Sequence, residues 1–351
     1  RIVYHWNKTV VEGLDVLDPI TRILDMSRIG PVLTFEDEAV RKGPPVTAML
    51  VQNTNPAAVA PDTNRVLKGL KRDDLFLCVH EQFLTETAQL ADIVLPATMF
   101  LEHDDIYQAG GHMHLQIHQA VIEAPEQARS NHWVINELAK RLGAQHPGFG
   151  MTEWELIDKT LLDSGWPSAD ALLEKKWHDV QPSFADSHFL NGFPTSTGRF
   201  QFCADWSQLG PLGSKLPNYP DHCDNIDSAT TEKPFRLITS PARNYLNTSF
   251  TETPTSQKKE VRPTVKIHPD AASQFCLEDG DKVRLGNEQG SVVLNASIFS
   301  GLQTNVVVVE SVWPNSAFEE GIGINTLISA EAGPPNGGAV FHDTAIWIKP
   351  A

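Results

Sequence analysis

Residues 85–105 read TETAQLADIVLPATMFLEHDD. A polar stretch that Thr85 can cap as a short helix, TETAQLA, runs into the apolar triplet Ile93-Val94-Leu95. The strand stops at Pro96, and Thr98, Glu102, His103 and Asp104 follow at once. A short core strand that ends in a cluster of polar side chains is the pattern of a ligand-binding edge on a parallel sheet, where ligands gather beyond the carboxyl ends of the strands.

The preceding sequence repeats the pattern. The run VTAMLV, residues 46–51, is a strand that opens into Asn53, Thr54 and Asn55. Asp62 then caps a helix carrying Val66, Leu67 and Leu70 on one face. LFLCV, residues 75–79, is a second strand, which ends in His80, Glu81 and Gln82. Apolar strands without polar alternation, separated by helices, predict a parallel sheet covered on both faces. Asn and Glu side chains at such strand ends suit the edge of a purine, and short polar side chains with helix N-terminal amides suit a phosphate. Polar loop residues are also common with no ligand at all.

After residue 234 the texture changes. FRLIT, PTVKIHPDAA and LEDGDKVRL each contain a strand, and Pro269 fits the first turn of a short helix. Val292, Leu294, Ala296 and Ile298 alternate as a half-buried strand requires. VVVVE, residues 306–310, is fully apolar, and FHDTAIWI closes the chain. A small barrel removes the edges of so many strands. Within this part TSPARNYLNTSFTETP concentrates hydroxyls and amides around one cation, Arg243, a mixture suited to a polar, phosphate-bearing, heteroaromatic ligand or to a capped loop. Gly337 and Gly338 permit a close backbone approach or simply turn the chain. The segmentation predicted is an α/β portion over 1–145, a helical segment with interdomain loops over 146–233, and a β-barrel over 234–351.

Composition narrows the function classes. The formal charge is −16 and the acidic residues are dispersed, which argues against a sequence-independent nucleic-acid grip. No apolar run approaches the roughly 20 residues needed to span a bilayer, so no direct membrane insertion is expected. Cys78, Cys203, Cys223 and Cys276 stand apart, and none forms a CxxC. His103, His112, His114, His118 and His132 cluster in sequence, but without converging carboxylate or cysteine spacing the default is hydrogen bonding rather than a metal. There is no GxGxxG, no GxxxxGK[ST] and no GxSxG. The chain opens at Arg1 without an initiator Met and is expected to be a piece of a longer polypeptide.

In order along the chain, VQNTNPAAVAPD, FLTETAQLADIVLPATMFLEHDD, APEQARSNHWVINELAKRLG, PTVKIHPDAA, LEDGDKVRLGNEQGSV, GINTLI and GAVFHDTAIWI resemble the C-terminal half of the bis-molybdopterin guanine dinucleotide oxidoreductases, the dimethyl sulfoxide reductase family. That family includes formate dehydrogenases and nitrate reductases. The resemblance implies the later portion of a parallel α/β domain followed by a double-psi-type six-stranded β-barrel. It implies a molybdopterin guanine dinucleotide cofactor in the bis-MGD form with Mo or W, and two-electron redox chemistry. It places cofactor contacts at Asn53, Asn55, His80, Glu81, His103 and Asn131 in the first part. In the barrel part it places them at Thr239, Ser240, Arg243, Leu246, Asn247, Thr248, Phe318, Asn325 and His342. Two positions depart from the family pattern: EHDD stands where Lys or Gly is frequent, and His342 stands where Lys is common. The metal ligand and a 4Fe-4S cluster are implied upstream of Arg1, so no catalytic or metal-ligating residue is assigned here. The implied partners are the missing N-terminal region and an electron-transfer subunit. Cytoplasm is the expected compartment, with periplasm open to family members. The competing reading is a stand-alone nucleotide- or partner-binding module without catalysis.

Overall fold

The computed structural model describes residues 24–203, 205–206, 212–219, 221, 227–335 and 337–351. Cys223 lies outside them. The described residues form two compact units, one of 80–83 with 94–202 and the other of 24–79, 84–93 and 203–351.

The first three strands are β1 (Ala48–Gln52), β2 (Phe76–Glu81) and β3 (Ile93–Pro96), in a parallel sheet ordered β1-β2-β3. Asp62 caps the helix Thr63–Leu70 as expected, its side chain accepting from Arg65 N. The buried face of that helix, Val66 and Leu70, packs with Leu33, Val51, Leu77 and Val79 into one core. The polar stretch before β3 is a single 3-10 turn, Ala88–Leu90, with Thr85 Oγ1 accepting from Ala88 N at 3.3 Å. The expectation of a sheet covered on both faces is met in part among the described residues: Leu77, Val79 and His80 of β2 are buried, from both of its faces, whereas Phe76 is 49% exposed and Ile93 45%. Burial at those positions depends on what lies over them, which periodicity does not encode.

The other unit holds β4 (Asp105–Tyr107), β5 (His114–His118) and β6 (His178–Asp179), in a three-stranded sheet. Leu115 and Ile117 point to the buried face of β5 and pack with Ile157, Leu161 and Leu172. The last three come from the helices Glu153–Asp163 and Ala169–Lys175. Thr152 and Glu155 form a reciprocal capping box that starts the first of these helices. The sequence after residue 146 therefore carries packed helices and part of a core, in addition to loops.

Six strands close the barrel: β7 (Phe235–Pro241), β8 (Thr264–Ile267), β9 (Lys282–Gly286), β10 (Ser291–Ile298), β11 (Val306–Ser311) and β12 (Thr344–Pro350). Their order around the barrel is β10-β8-β11-β7-β12-β9, with β10/β8 and β11/β7 parallel and the other pairs antiparallel. Closure leaves no free edge, and alternation along each strand fills the interior. Leu237, Val265, Ile267, Val283, Leu285, Val307 and Ile346 are all fully buried there. Pro269 opens the helix Pro269–Gln274 after β8, with the His268 side chain accepting from Asp270 N. Gly286 lets the Trp347 ring lie on the β9 backbone, since a Cβ there would meet Trp347 Cζ2 at 2.1 Å.

Candidate functional site

In the unit that contains the barrel, the carboxyl end of β1 and the barrel loops line one cavity of about 760 Å3. Gln52 and Thr54 come from the strand end, and Thr239, Asn247, Asn325 and His342 from the barrel side. Ile29, Val46, Met49 and Val59 supply an apolar wall. The size falls within the roughly 300–1,000 Å3 of small-molecule and cofactor pockets, and the mixture of apolar walls with a few polar groups is what such pockets show.

Each polar group has a local cause. Asn247 sits at the tip of a tight hairpin closed by two backbone bonds, Leu246 N to Ser249 O at 3.1 Å and Ser249 N to Leu246 O at 2.9 Å. Its φ of 51° is left-handed, which Asn tolerates better than most residues. Thr239 lies in β7 beside Val309 of β11, and its hydroxyl donates to Phe341 O at 2.8 Å. That bond fixes the chain just before His342. Asn325 is 3% exposed, and its amide nitrogen donates to Ala58 O at 3.2 Å and Val59 O at 2.9 Å. It therefore satisfies the last carbonyls of the helix Pro56–Val59. Its carbonyl oxygen has no protein donor among the described hydrogen bonds.

A second buried amide network holds the β1 side of the cavity against the barrel. Asn55 is buried, accepts from Thr87 N and Thr87 Oγ1 through Oδ1, and donates to Glu86 Oε2 at 2.9 Å. Glu86 Oε1 accepts from Asn315 N at 2.9 Å, and Asn315 Nδ2 donates to Ala57 O at 2.9 Å. Asn55 is thus an anchor of the cradle rather than part of its wall. Its neighbour Asn53 is exposed, with φ 52°. Phe318 is 5% exposed and belongs to the barrel core. Arg243 and Leu246 are exposed, Ser240 and Thr248 are half-buried, and none of the four is on the cavity wall.

The remaining positions implied by the resemblance fall in the other unit, where the structure gathers His80, Glu81 and His103 around two backbone segments. His80 is fully buried, with Nε2 at 3.0 Å from Arg129 O. Glu81 O accepts from Ala97 N, and Thr98 N donates to Arg129 O. His103 Nδ1 lies 2.8 Å from Thr98 Oγ1, and its Nε2 lies 3.7 Å from Asp105 Oδ2. Asn131 is exposed in the first turn of the helix Asn131–Leu142, which Ser130 caps. Among the described residues no group of three or more His, Cys, Asp and Glu could hold a metal ion. No described helix is long and apolar enough to cross a membrane.

The lining residues fit the ring systems of a pterin or purine better than a diphosphate. Apolar walls suit planar rings, and amide, hydroxyl and imidazole groups suit their polar edges. No Lys or Arg is among the described lining residues. Sequence reasoning placed Thr54 at the strand end without assigning it a contact, and missed Gln52 and the apolar Ile29, Val32 and Leu33. The strand-end position was the available signal for Gln52.

The carboxyl end of β1 and a closed six-stranded barrel, meeting around a cofactor-sized cavity within one unit, have the form of a cofactor-binding protein. Comparison with known proteins gives the class a name. The sequence signature described as Molybdopterin oxidoreductase matches residues 32–141, and that described as Molydopterin dinucleotide binding domain matches residues 235–345. The chain belongs to the molybdopterin oxidoreductase family. It is 30% identical to Probable oxidoreductase YoaE of Bacillus subtilis, over 99% of this chain and 50% of that protein. It is 25% identical to the Dimethyl sulfoxide/trimethylamine N-oxide reductase of Rhodobacter capsulatus, over 90% of this chain and 42% of that one. Acetylene Hydratase from Pelobacter acetylenicus shares the fold at a TM-score of 0.73 and 18% identity, over 92% of this chain and 46% of that chain. The chain thus spans half or less of the length of these relatives.

Proposed function

We propose that the chain forms part of the cradle of a molybdopterin guanine dinucleotide in a larger redox enzyme. One observation carries the reading. Thr239, Asn247, Asn325 and His342, from four separate segments of the barrel part, line the same cavity as the β1 strand end. When bound, such a cofactor supplies two-electron redox chemistry at its metal. The residues here bind and orient it: Asn247 and His342 offer polar contacts, and Thr239 fixes the chain before His342. The apolar wall of Ile29, Met49 and Val59 excludes water from the ring faces. The finer assignment is a bis-MGD cofactor with Mo or W, with the metal ligand and any iron–sulfur cluster on polypeptide outside this chain.

The partners proposed are that further polypeptide and an electron-transfer subunit. The exposed Phe76 and Ile93 on a parallel sheet, a type of sheet normally covered on both faces, support a covering partner. Relatives over nearly the whole chain are named oxidoreductases and reductases, which disfavours a module without chemistry. The test is the pterin itself. Denaturing the purified larger enzyme that contains this chain and reading pterin fluorescence should reveal cofactor in the wild type, whereas the chain alone should retain it weakly. An Asn247→Ala, His342→Ala double variant should hold at least tenfold less. Equal retention in the double variant would refute this cavity as the cofactor site.

A further inference from the structure

The cavity wall contains one carboxylate among its described residues, Asp25. A bare carboxylate there would repel an anionic dinucleotide, yet both of its oxygens are engaged. Oδ1 accepts from Ser27 N at 2.9 Å and from Ser27 Oγ at 2.6 Å. Oδ2 accepts from Gly338 N at 3.0 Å, from 313 residues further along the chain. From Gly338 the backbone continues through Ala339, Phe341 and His342, all on the cavity wall. Thr239 holds Phe341 O at 2.8 Å, so this wall segment is pinned at two points. Gly337 makes the first pin possible. Its φ is +81°, and a Cβ there would sit 2.5 Å from Asp25 Oδ2. A second tie follows three residues after Asp25: Arg28 Nη1 donates to Ala330 O at 3.3 Å, and the Arg28 guanidinium pairs with Asp37.

We propose that Asp25 is a positioning residue for the cofactor: its carboxylate latches the Gly338 amide and thereby sets the wall segment that presents His342 to the cavity. The proposal rests on the cofactor reading above. A charge-assisted bond between a carboxylate and a backbone N–H is about twice as strong as a neutral one, so one such bond can determine the position of a glycine-containing segment. Gly337 adds no side chain that could hold that segment by packing.

The test compares wild type, Asp25→Ala, Asp25→Asn and Gly337→Ala in the purified larger holoenzyme that contains this chain. Amide hydrogen exchange is followed in the peptide spanning 337–342, with pterin content per chain measured alongside. Exchange in that peptide should rise at least tenfold in Asp25→Ala and in Gly337→Ala. It should rise less in Asp25→Asn, which keeps one acceptor oxygen. Pterin content should fall in the same order, while exchange around Ala330, held by Arg28, stays near wild type. Unchanged exchange in Asp25→Ala overturns the latch, and faster exchange with wild-type pterin content overturns its positioning role. A uniform loosening that includes the Ala330 peptide would reduce Asp25 to a general structural residue and also overturn it. Wild-type protein without pterin would bring down the cofactor reading and this proposal with it, while the exchange data would still report whether the Asp25 contact exists.

Discussion

Replacing Asn325 by Ala separates its two roles, as clamp and as cavity wall. The wild-type amide is 3% exposed and donates to Ala58 O and Val59 O, the last carbonyls of a four-residue helix with no further turn to satisfy them. Each such bond contributes about 1 kcal/mol net, and a buried acceptor left without a donor costs about 1–3 kcal/mol. Ala58 is itself buried at 4% exposure, so water does not readily replace the lost donor. The expected loss is about 2–3 kcal/mol. Asn325→Asp should cost more, about 3–5 kcal/mol, because it buries a carboxylate against two carbonyl oxygens instead of an amide donor. Urea unfolding of the chain followed by tryptophan fluorescence measures both, with Trp313 and Trp347 as reporters in the barrel part. Asn247→Gly is the control, since that residue is exposed at a hairpin tip and Gly adopts its left-handed φ without strain, so stability should shift by no more than about 0.5 kcal/mol. If Asn325→Ala also falls within about 0.5 kcal/mol of wild type, the side chain is not a clamp and the reasoning fails.

Two further outcomes follow from local geometry. Gly286→Ala drives a methyl into the Trp347 ring, at 2.1 Å from Cζ2, and overpacking of this kind costs about 1–3 kcal/mol; a lower thermal midpoint together with an altered near-UV dichroism of the indole would show it, and an unchanged midpoint would contradict the packing. Burial pushes the Asp25 carboxyl up, but the hydrogen bonds from Ser27 and Gly338 and the charge of Arg28 outweigh it and hold it below its ordinary value of 3.8. A depressed carboxyl contributes stability that is present above that value and is lost as the pH falls through the lower folded one. The stability difference between wild type and Asp25→Ala should therefore be constant from pH 5 to pH 7 and shrink below about pH 4, where urea midpoints at each pH would reveal it.

Much of the scaffold was legible because its causes are local. β-Branched runs such as VVVVE mark strands wherever they occur, and Val292, Leu294 and Ala296 show the two-residue period of a strand with one buried face. Asp62 and Pro269 announced the helices they start. HLQIH, residues 114–118, also alternates, with Leu115 and Ile117 buried, but five residues among scattered histidines gave no adjoining pattern that marked them as a strand. The site was less legible because its contacts are distant in sequence. Asn53 and Asn55 are two residues apart and chemically identical. One is an exposed left-handed turn residue and the other is consumed by Glu86 and Thr87, about 30 residues away. Arg243, the lone cation of its loop, is exposed and off the cavity wall, so the expected phosphate partner is not among the lining residues. Gly337 and Gly338 left a close approach and a simple turn equally open, and nothing near them in sequence marked the approaching group as a carboxylate more than 300 residues earlier.

The buried amides explain why the cavity can exist before any ligand enters it. Hydrophobic packing alone would hold the barrel to the β1 side over a range of small shifts, because apolar contacts are not directional. The chain Asn55–Glu86–Asn315–Ala57 and the pair of bonds from Asn325 are directional, and their three Asn amides are buried at a cost that only the correct register repays. They therefore select one arrangement of the cavity walls. A site fixed in this way spends less of its binding energy on ordering side chains. By linkage, a cofactor that binds only this arrangement stabilises it by RT ln(1 + [L]/Kd), about 2.7 kcal/mol at a hundredfold excess over Kd. Asn325 belongs to both the clamp and the wall, so its loss should remove intrinsic stability and also the stabilisation gained from the cofactor. Loss of Asn247 should remove only the latter, and that difference in the unfolding curves distinguishes a residue that builds the cradle from one that only touches its contents.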